Sequence, residues 1–215
     1  MTFFLDPRPW IARRTFRSAY PRILRDPICT EALFEAVAPQ PGERVLHVRK
    51  ADTVSVIALA KLQPEARFVS LEPDERSLGA TVREIETLGA ANVQPVTASE
   101  PRRFPFADAS FDKVVSSMNL HTEAPEPRLA MAREMLRVLR RKGLLYAADL
   151  DAPTTPQEQG FLKVANFVLG AERIQPHIDG TWPDVLAAAG FSRPKRLASN
   201  AFESLRIGVV RAQKR

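Results

Sequence analysis

The chain has 215 residues, of which 45% are hydrophobic and 26% are charged, and its formal net charge is +6. This length and apolar content predict one domain with a sizeable core, and the apolar runs are too short to span a membrane. The single cysteine, Cys29, excludes a disulfide framework and favours a reducing compartment, so we expect a cytoplasmic protein.

The first 26 residues form a basic segment, in which six arginines outnumber two aspartates and aromatic side chains lie between them. Such a segment is compatible with binding to an anionic membrane surface, with stacking on nucleic acid or with a targeting peptide. Pro21 would break a long helix here, which weakens the membrane interpretation. The apolar stretch is also too short and too interrupted for a signal peptide.

A βαβ unit is predicted next. Val45–Val48 is a short apolar run after the turn at Pro41-Gly42, and it indicates a buried strand. Apolar residues then recur at helical spacing up to Leu62, and a second apolar strand ends at Glu72. A strand, a loop, a helix and a strand within about 30 residues predict a parallel sheet. In dinucleotide-binding folds a carboxylate at the position of Glu72 holds the ribose hydroxyls.

The loop between this strand and this helix, Arg49–Thr53, contains no glycine. Nucleotide-binding α/β proteins carry glycines here, because the chain turns at positive φ and the backbone approaches the ligand closely. The pocket therefore either binds its ligand in an unusual way or no longer binds it. Arg49 and Lys50 would suit an anion beside the helix N-terminus or would face solvent. Asp52 and Thr53 are best explained as helix N-caps.

The rest of the chain continues the alternation of strands and helices. The predicted strands are Val93–Val96, Phe111–Ser117, Leu144–Asp149, Pro194–Ser199 and Leu205–Ala212, and the predicted helices are Leu78–Leu88, Leu129–Leu139 and Trp182–Ala189. Gly89 and Gly190 follow two of these helices as C-caps. Between residues 152 and 182, five apolar residues at helical spacing predict an inserted helix: Phe161, Val164, Phe167, Val168 and Leu169.

Four short segments resemble passages of one enzyme family. They are Phe104–Phe106 with Ser110–Ser117, Leu120-His121, Met135–Arg140 with Gly143, and Ala188–Phe191. On these motifs the chain is identified as a member of the class I S-adenosylmethionine-dependent methyltransferases, most similar to the group of ubiquinone and menaquinone C-methyltransferases. The resemblance implies an α/β fold with a doubly wound seven-stranded sheet, in the order 3-2-1-4-5-7-6 with strand 7 antiparallel.

The resemblance also implies one methyltransferase-like domain with four parts. Residues 41–150 would form the nucleotide-binding core, residues 151–182 a helical insertion on the acceptor side, and residues 183–215 a C-terminal helix and hairpin. Residues 1–38 would form a helical lid over the active site. We favour this lid over peripheral membrane contact through residues 1–25, and nucleic-acid binding is the least favoured interpretation.

The resemblance places the methyl donor, S-adenosylmethionine, at the glycine-free loop and the neighbouring strand ends. Glu72 matches the family's ribose-binding carboxylate, and the residue that reads the adenine amino group falls at Ser99 or Glu100. The acidic residue and the glycines of the family's loop are replaced, so we expect donor binding that is weakened or lost. The candidate cofactor-binding residues are, in chain order, His47, Arg49, Ala51, Glu72, Ser99, Glu100 and Ser117.

His121 is the candidate catalytic residue. It follows the fourth strand, at the edge where open α/β sheets bind ligands, and its imidazole can act as a general base on a hydroxyl or an acidic carbon. A hydrogen-bonded structural histidine under the lid is the alternative. Asp149 ends the fifth strand with the same two interpretations, and His177 lies in the insertion. The histidines and the cysteine show no metal-ligand spacing, so no metal is expected.

Two functions remain open at this point. In the first, the protein transfers a methyl group from S-adenosylmethionine to a small-molecule acceptor, with His121 as the base. In the second, it is a non-catalytic methyltransferase-like protein that acts as the partner or regulatory subunit of another protein, or that binds another anionic metabolite through Arg49 and Lys50. The fold alone does not choose between them.

Overall fold

The structure is a computed structural model that describes residues 31–49, 54–98, 103–202 and 204–215. Its strands are β1 (Arg44–Arg49), β2 (Arg67–Glu72), β3 (Val93–Thr97), β4 (Phe111–Ser117), β5 (Leu139–Leu150), β6 (Lys195–Phe202) and β7 (Leu205–Gln213). Its helices are α1 (Glu31–Val37), α2 (Val54–Leu62), α3 (Glu75–Leu88), α4 (Pro125–Val138), α5 (Pro156–Leu169), α6 (Ala171–Ile178) and α7 (Asp184–Ala188), and a 3-10 helix at Leu120–Thr122 follows β4. The expected lid over residues 1–38 lies outside the described residues except for α1 and the residue after it.

All seven strands form one sheet in the order β3-β2-β1-β4-β5-β7-β6. The first five strands pair in parallel, and β7 pairs antiparallel with both β5 and β6. The predicted fold class is therefore confirmed. The strand order reverses between β1 and β4, so the crevice at the carboxyl ends of these two strands is the topological switch point, where open α/β sheets bind their ligands.

Both faces of the sheet are covered by helices, which explains why its central strands are almost continuously apolar. One apolar cluster joins α1 and α2 to one face, and Leu33, Ile57 and Phe68 are buried in it. A second cluster joins α4 and α7 to the other face, around Leu46 and Met135. The two clusters hold the carboxyl ends of the strands in fixed positions, and the candidate site lies at these ends.

Helix α3 illustrates how local sequence fixes an element between two strands. Its N-cap is Asp74, whose side chain accepts a hydrogen bond from Ser77 N at 2.7 Å. That bond lowers the pKa of Asp74. At the other end, Gly89 adopts a φ of 62°, a left-handed conformation that glycine reaches without steric cost, and the helix stops there as predicted.

The predicted start of the fifth strand at Leu144 is wrong, because β5 already begins at Leu139. Phe111 pairs with Leu139 and Lys113 with Leu144, so the intervening residues form an irregularity in the register. Lys142, in this stretch, has a φ of 63°, and its N–H donates to Lys214 O at 3.0 Å. Residues 139–143 belong to the strand because segments distant in the sequence pair with them.

The inserted region contains two helices, α5 and α6, which meet at Gly170. Four of the five apolar residues whose spacing predicted a helix here are exposed: Phe161, Val164, Phe167 and Val168. Phe167 is 92% exposed and Val168 is 69% exposed, whereas Leu162 and Glu158 are buried. The face of α5 that contains Glu158 and Leu162 is turned inward, because Glu158 forms an ion pair and capping hydrogen bonds there. Hydrophobic spacing does not reveal such polar contacts.

Two buried carboxylates attach the insertion to the last two strands. Glu158 accepts a hydrogen bond from Thr154 N at 2.6 Å and pairs with Arg206 of β7 at 3.2 Å. Asp151 pairs with Arg196 and accepts hydrogen bonds from Ser199 Oγ at 2.7 Å and Trp182 Nε1 at 3.2 Å. These bonds lower the pKa of each carboxylate, against burial, which raises it, and fix the insertion beside the carboxyl end of β5.

No helix in the described part of the chain is long and apolar enough to cross a membrane.

Candidate active site

A histidine and an aspartate form a close pair at the carboxyl end of the sheet. His121 lies in the 3-10 helix after β4, and Asp149 is the penultimate residue of the neighbouring strand β5. Their Nδ1 and Oδ1 atoms are 2.6 Å apart, and the side chains are 13% and 1% exposed. Asp149 also accepts hydrogen bonds from Leu120 N at 2.7 Å and from Leu150 N at 2.8 Å. The carboxylate is thus held rigidly, with His121 at its open side.

The proton positions in this pair follow from its chemistry. Burial alone would raise the pKa of Asp149, but the adjacent His121, further His177 and the Leu150 N–H lower this pKa to about 2. An ionised carboxylate can only accept hydrogen bonds, so Nδ1 of His121 carries the shared proton. In the neutral imidazole Nε2 is then the basic nitrogen. A histidine oriented by a carboxylate in this way is the usual arrangement of a general base.

A second histidine, His177 of α6, packs against this pair. Its Nδ1 lies 2.7 Å from Leu150 O and 3.9 Å from Asp149 Oδ1, and its ring meets that of His121 edge-on at 6.0 Å between centroids. Trp182 stacks on its other side at 5.8 Å. Burial lowers the pKa of His177, so the ring is neutral and donates from Nδ1 to the carbonyl. The insertion therefore contributes a rigid aromatic wall behind the His121–Asp149 pair.

The segment between β4 and the 3-10 helix positions His121. Met118 has a φ of 51°, an uncommon left-handed conformation for a residue with a side chain, and its N–H donates to Ala148 O at 2.9 Å. Asn119 then donates from Nδ2 to Val48 O at 2.5 Å. These two bonds tie the end of β4 to β5 on one side and to β1 on the other. The strained turn is thereby fixed at the topological switch point.

On the other side of the switch point, Glu72 ends β2. Its side chain is buried, and its Oε1 accepts a hydrogen bond from Ser70 Oγ at 2.6 Å. In the neighbouring strand β1, two residues before its end, His47 Nε2 lies 3.3 Å from Ser117 Oγ. A carboxylate at this strand end fits the ribose hydroxyls of an S-adenosylmethionine donor, because such oxygens accept hydrogen bonds from neighbouring hydroxyls. The described residues of the donor side are therefore compatible with the donor.

The structure brings some of the predicted site residues together and leaves others undescribed. His47 and Ser117 are in contact across β1 and β4, and Glu72 lies at the adjacent end of β2. Ala51, Ser99 and Glu100 lie outside the described residues, as does the side chain of Arg49. Arg49 itself ends β1 and pairs in register with Ser117. The roles of these residues in donor binding stay predictions.

One supporting residue was not anticipated from the sequence. Arg128 of α4 is buried, and its guanidinium donates to Glu123 O and to Arg173 O, at 2.8 Å each. Burial lowers the pKa of this arginine. The side chain connects the loop after the 3-10 helix to α6 and so helps to hold His121 near His177. Its position on the helix carries no signal that distinguishes it from a surface arginine.

No group of three or more metal-ligating side chains is present in the ranges that the structure describes.

Comparison with known proteins gives a consistent result. Residues 46–143 match the family model described as a methyltransferase domain. Demethylmenaquinone methyltransferases of Beutenbergia cavernae and Clavibacter sepedonicus are each 28% identical to the chain over 197 residues, which cover 86% of this chain and 78% of the relative. Among solved structures, an S-adenosylmethionine-dependent methyltransferase from Aquifex aeolicus superimposes with a TM-score of 0.64 at 16% identity, covering 98% of this chain and 100% of its own. The structural likeness concerns the fold.

Proposed function

We propose that the chain is a class I S-adenosylmethionine-dependent methyltransferase and that it transfers a methyl group to a small-molecule acceptor. The observation that carries the proposal is the distance of 2.6 Å between His121 Nδ1 and Asp149 Oδ1 at the carboxyl end of the sheet. A base in this position can remove the proton of an acceptor group while the methyl donor lies at the neighbouring strand ends.

The donor supplies a methyl group activated by a sulfonium charge. Glu72 is the residue proposed to hold the donor's ribose, and Ser70 orients its carboxylate through the bond of 2.6 Å. His121 takes up the acceptor's proton at Nε2, and Asp149 stabilises the imidazolium that results. The pair is only slightly exposed, so little water competes with the acceptor for the basic nitrogen.

The acceptor proposed is a small aromatic molecule with an acidic hydroxyl or an acidic carbon. Two observations support this chemical class. The wall formed by His177 and Trp182 is aromatic and lies beside the base. The relatives from Beutenbergia cavernae and Clavibacter sepedonicus are named for a demethylmenaquinone, which contains an aromatic or quinonoid ring. Residues 151–182 are proposed to form the acceptor side of the site, because both wall residues come from this range or its end.

A role for the first residues of the chain and a cellular location are also proposed. Residues 1–38, which include the basic segment, are proposed as a lid on the acceptor, in preference to a surface for a membrane or for nucleic acid. A cytoplasmic location is proposed because the chain has a single cysteine. No observation on the described residues favours the alternative of a non-catalytic protein. We therefore propose methyl transfer and not a non-catalytic role.

A transfer assay tests the proposal. The purified protein would be incubated with S-adenosylmethionine carrying a labelled methyl group and with a panel of phenols, hydroquinones and carboxylic acids. We expect transfer to at least one hydroxylated aromatic compound, and we expect His121→Ala to lower its rate by about 100-fold or more, which is the typical contribution of a general base. Donor affinity, measured by calorimetry, should stay nearly unchanged in this variant.

His121→Ala is compared with His121→Gln and with Thr122→Ala, which alters the adjacent residue of the same 3-10 helix. Melting temperatures of all variants show whether any loss of transfer reflects unfolding. Absence of transfer to every acceptor by the wild-type protein would overturn the proposed function. Full transfer by His121→Ala would overturn the role of His121 and leave the function intact.

A further inference from the structure

A concentration of positive charge lies at the end of the sheet opposite the candidate active site. Three segments meet there: Leu139–Gly143, Ser192–Arg196 and Arg211–Arg215. Together they contain nine lysines and arginines and no aspartate or glutamate. Backbone hydrogen bonds hold them together, from Lys142 N to Lys214 O at 3.0 Å and from Ser192 N to Gln213 O at 2.9 Å. The fold therefore brings these positively charged residues together from distant parts of the sequence.

Three of the nine cations are already engaged. Arg140 pairs with Asp112 at 2.5 Å, and Arg196 pairs with Asp151. The ammonium group of Lys214 donates to two backbone carbonyls, Arg137 O at 3.1 Å and Leu139 O at 2.7 Å. These three cations are therefore already partly neutralised or bonded within the fold.

Three of the remaining cations line one depression of about 280 Å³, which we call the basic depression. Arg193, Lys195 and Arg211 line it together with Ser192 and Gln213. None of these three cations has a carboxylate within ion-pair distance in the described part of the chain. Glu43 is close enough to act electrostatically on Tyr146, which is adjacent to Arg211, but Glu43 is already paired with Lys113 at 2.7 Å. The volume holds a small molecule, since one water of the liquid occupies about 30 Å³.

The strand register places two of these charges in direct opposition. Lys195 of β6 pairs in register with Arg211 of β7, and directly opposed residues of an antiparallel pair point to the same face. Like charges in this position destabilise a sheet. Arg211 also pairs in register with Tyr146, a buried residue of β5, and its guanidinium hydrogen-bonds to the Tyr146 hydroxyl, so the neighbour on that side is polar but not acidic. An anion that contacts both side chains would offset the repulsion between Lys195 and Arg211.

We propose that the basic depression binds a small phosphorylated ligand that carries two adjacent phosphate groups. Each phosphate group carries about 1.5 to 2 negative charges at neutral pH, so a diphosphate matches the three cations. The two arginines can each donate two parallel hydrogen bonds to phosphate oxygens, and the lysine adds a point charge. Ser192 Oγ accepts from Gln213 N at 2.9 Å, which leaves its proton for a further phosphate oxygen.

This site is separate from the methyl-transfer site. Leu144 pairs with Gln213 at the basic depression, whereas Asp149 pairs with Gly208 at the other end of the same strand. Five residues of strand separate these pairs, which corresponds to about 17 Å. A free ligand is favoured over a nucleic acid, because the site is concave and none of its lining residues is aromatic and able to stack on bases.

Calorimetry with inorganic diphosphate as the probe tests the proposal, in buffer of about 0.15 M ionic strength, where diffuse attraction is screened. We expect saturable binding with one diphosphate per chain. Lys195→Gln and Arg211→Gln should each weaken it by at least about tenfold, since each removes a direct charge-assisted contact. The matched control is Lys163→Gln, which removes one charge from an exposed position on α5 and should change the affinity by less than about twofold.

A second measurement gives an independent result. Without ligand, Lys195→Gln should raise the melting temperature, because it removes the repulsion from Arg211. Diphosphate should raise the melting temperatures of the wild-type protein and of Lys163→Gln by similar amounts, and that of Lys195→Gln by less. Absence of saturable diphosphate binding, or equal weakening by the control variant, would overturn the proposal. Binding of duplex DNA or anionic vesicles without diphosphate binding would also overturn it. Neither measurement depends on methyl transfer.

Discussion

Asp149 Oδ1 lies 2.6 Å from His121 Nδ1, and the same carboxylate accepts two backbone N–H groups. Because these bonds fix the carboxylate, they also fix which nitrogen of the imidazole is protonated. Replacing the carboxylate by an amide would keep the size of the side chain but would remove its charge, and its NH₂ group cannot accept the imidazole proton.

Asp149→Asn should therefore lower the turnover number for methyl transfer by about 100-fold or more. The loss of a fixed tautomer and of the charge that stabilises the imidazolium is the physical reason. The turnover number and the donor affinity would be measured for this variant and for Asp184→Asn, which alters an exposed aspartate on α7. Wild-type turnover in Asp149→Asn would show that the pair is structural.

Acid sensitivity follows from the same carboxylate. The pKa of Asp149 is about 2 in the folded protein and about 3.9 in an unfolded chain. The depressed value gives a stabilising contribution that is complete above pH 4 and is lost as the pH falls toward 2. The contribution is about 2 kcal/mol. Urea unfolding between pH 6 and pH 2.5 should show a steeper loss of stability for the wild-type protein than for Asp149→Asn, and parallel curves would contradict the assignment.

His177 produces a pH dependence in a different window. Burial lowers its pKa, so the unfolded chain binds a proton near pH 6.5 while the folded chain does not. The contribution of His177 is therefore present above pH 6.5 and decreases as the pH falls below this value. His177→Gln keeps a donor for Leu150 O and should flatten the curve between pH 7.5 and pH 5.5. An unchanged slope would mean that His177 binds a proton as readily in the folded protein as in the unfolded chain.

Two glycines offer a matched test of packing. A Cβ atom on Gly208 would lie 2.7 Å from the carboxylate of Asp151, whereas a Cβ atom on Gly160 would meet nothing within 4 Å. Gly208→Ala should destabilise the protein by about 1 to 3 kcal/mol through overpacking. Gly160→Ala lies within α5 and should stabilise it by up to about 1 kcal/mol. Denaturant unfolding of both variants distinguishes these effects, and equal results would contradict the contact at Gly208.

Donor affinity tests the glycine-free loop. Side chains beyond Cβ in residues 49–53 would occupy space where the backbone usually approaches the donor, so we expect a dissociation constant above about 100 μM, or a binding free energy of about 5.5 kcal/mol. Glu72→Gln should weaken binding further, by about 1.5 to 3 kcal/mol, because a charged hydrogen-bond acceptor is lost. Calorimetry with S-adenosylhomocysteine measures both, with Glu75→Gln as control. A low-micromolar constant for the wild-type protein would refute the expectation for the loop.

The sheet could be predicted from the sequence because its signals are local. The apolar runs of β1 and β4, the caps of α3 and the motif around His121 each lie within a few residues. The beginning of β5 could not be predicted in this way. Its first residues look like a turn in the sequence, and they become strand because Lys142 bonds to Lys214, a residue far along the chain.

In the candidate site, too, features set by local sequence could be predicted, and features set by contacts between distant residues could not. His121 and Glu72 could be found from motifs, and Asp149 could be found as a carboxylate at a strand end. The contact of His177 with this pair could not be predicted, because it depends on how the insertion folds back. That arrangement is set by buried charges, Glu158 with Arg206 and Asp151 with Arg196. Hydrophobic spacing predicted a helix here but not which of its faces is buried, and Phe167 is in fact exposed.

The position of β7 between β5 and β6 has a consequence for synthesis of the protein. The strands join the sheet in an order that differs from the order in which they are translated. Until residues 205–213 have been made, one edge of β5 lacks its neighbour, and an unpaired strand edge promotes association between chains. The amino-terminal part of a nascent chain folds first. In the interval before β7 is made, the exposed edge of β5 in a growing chain is therefore open to association with other chains.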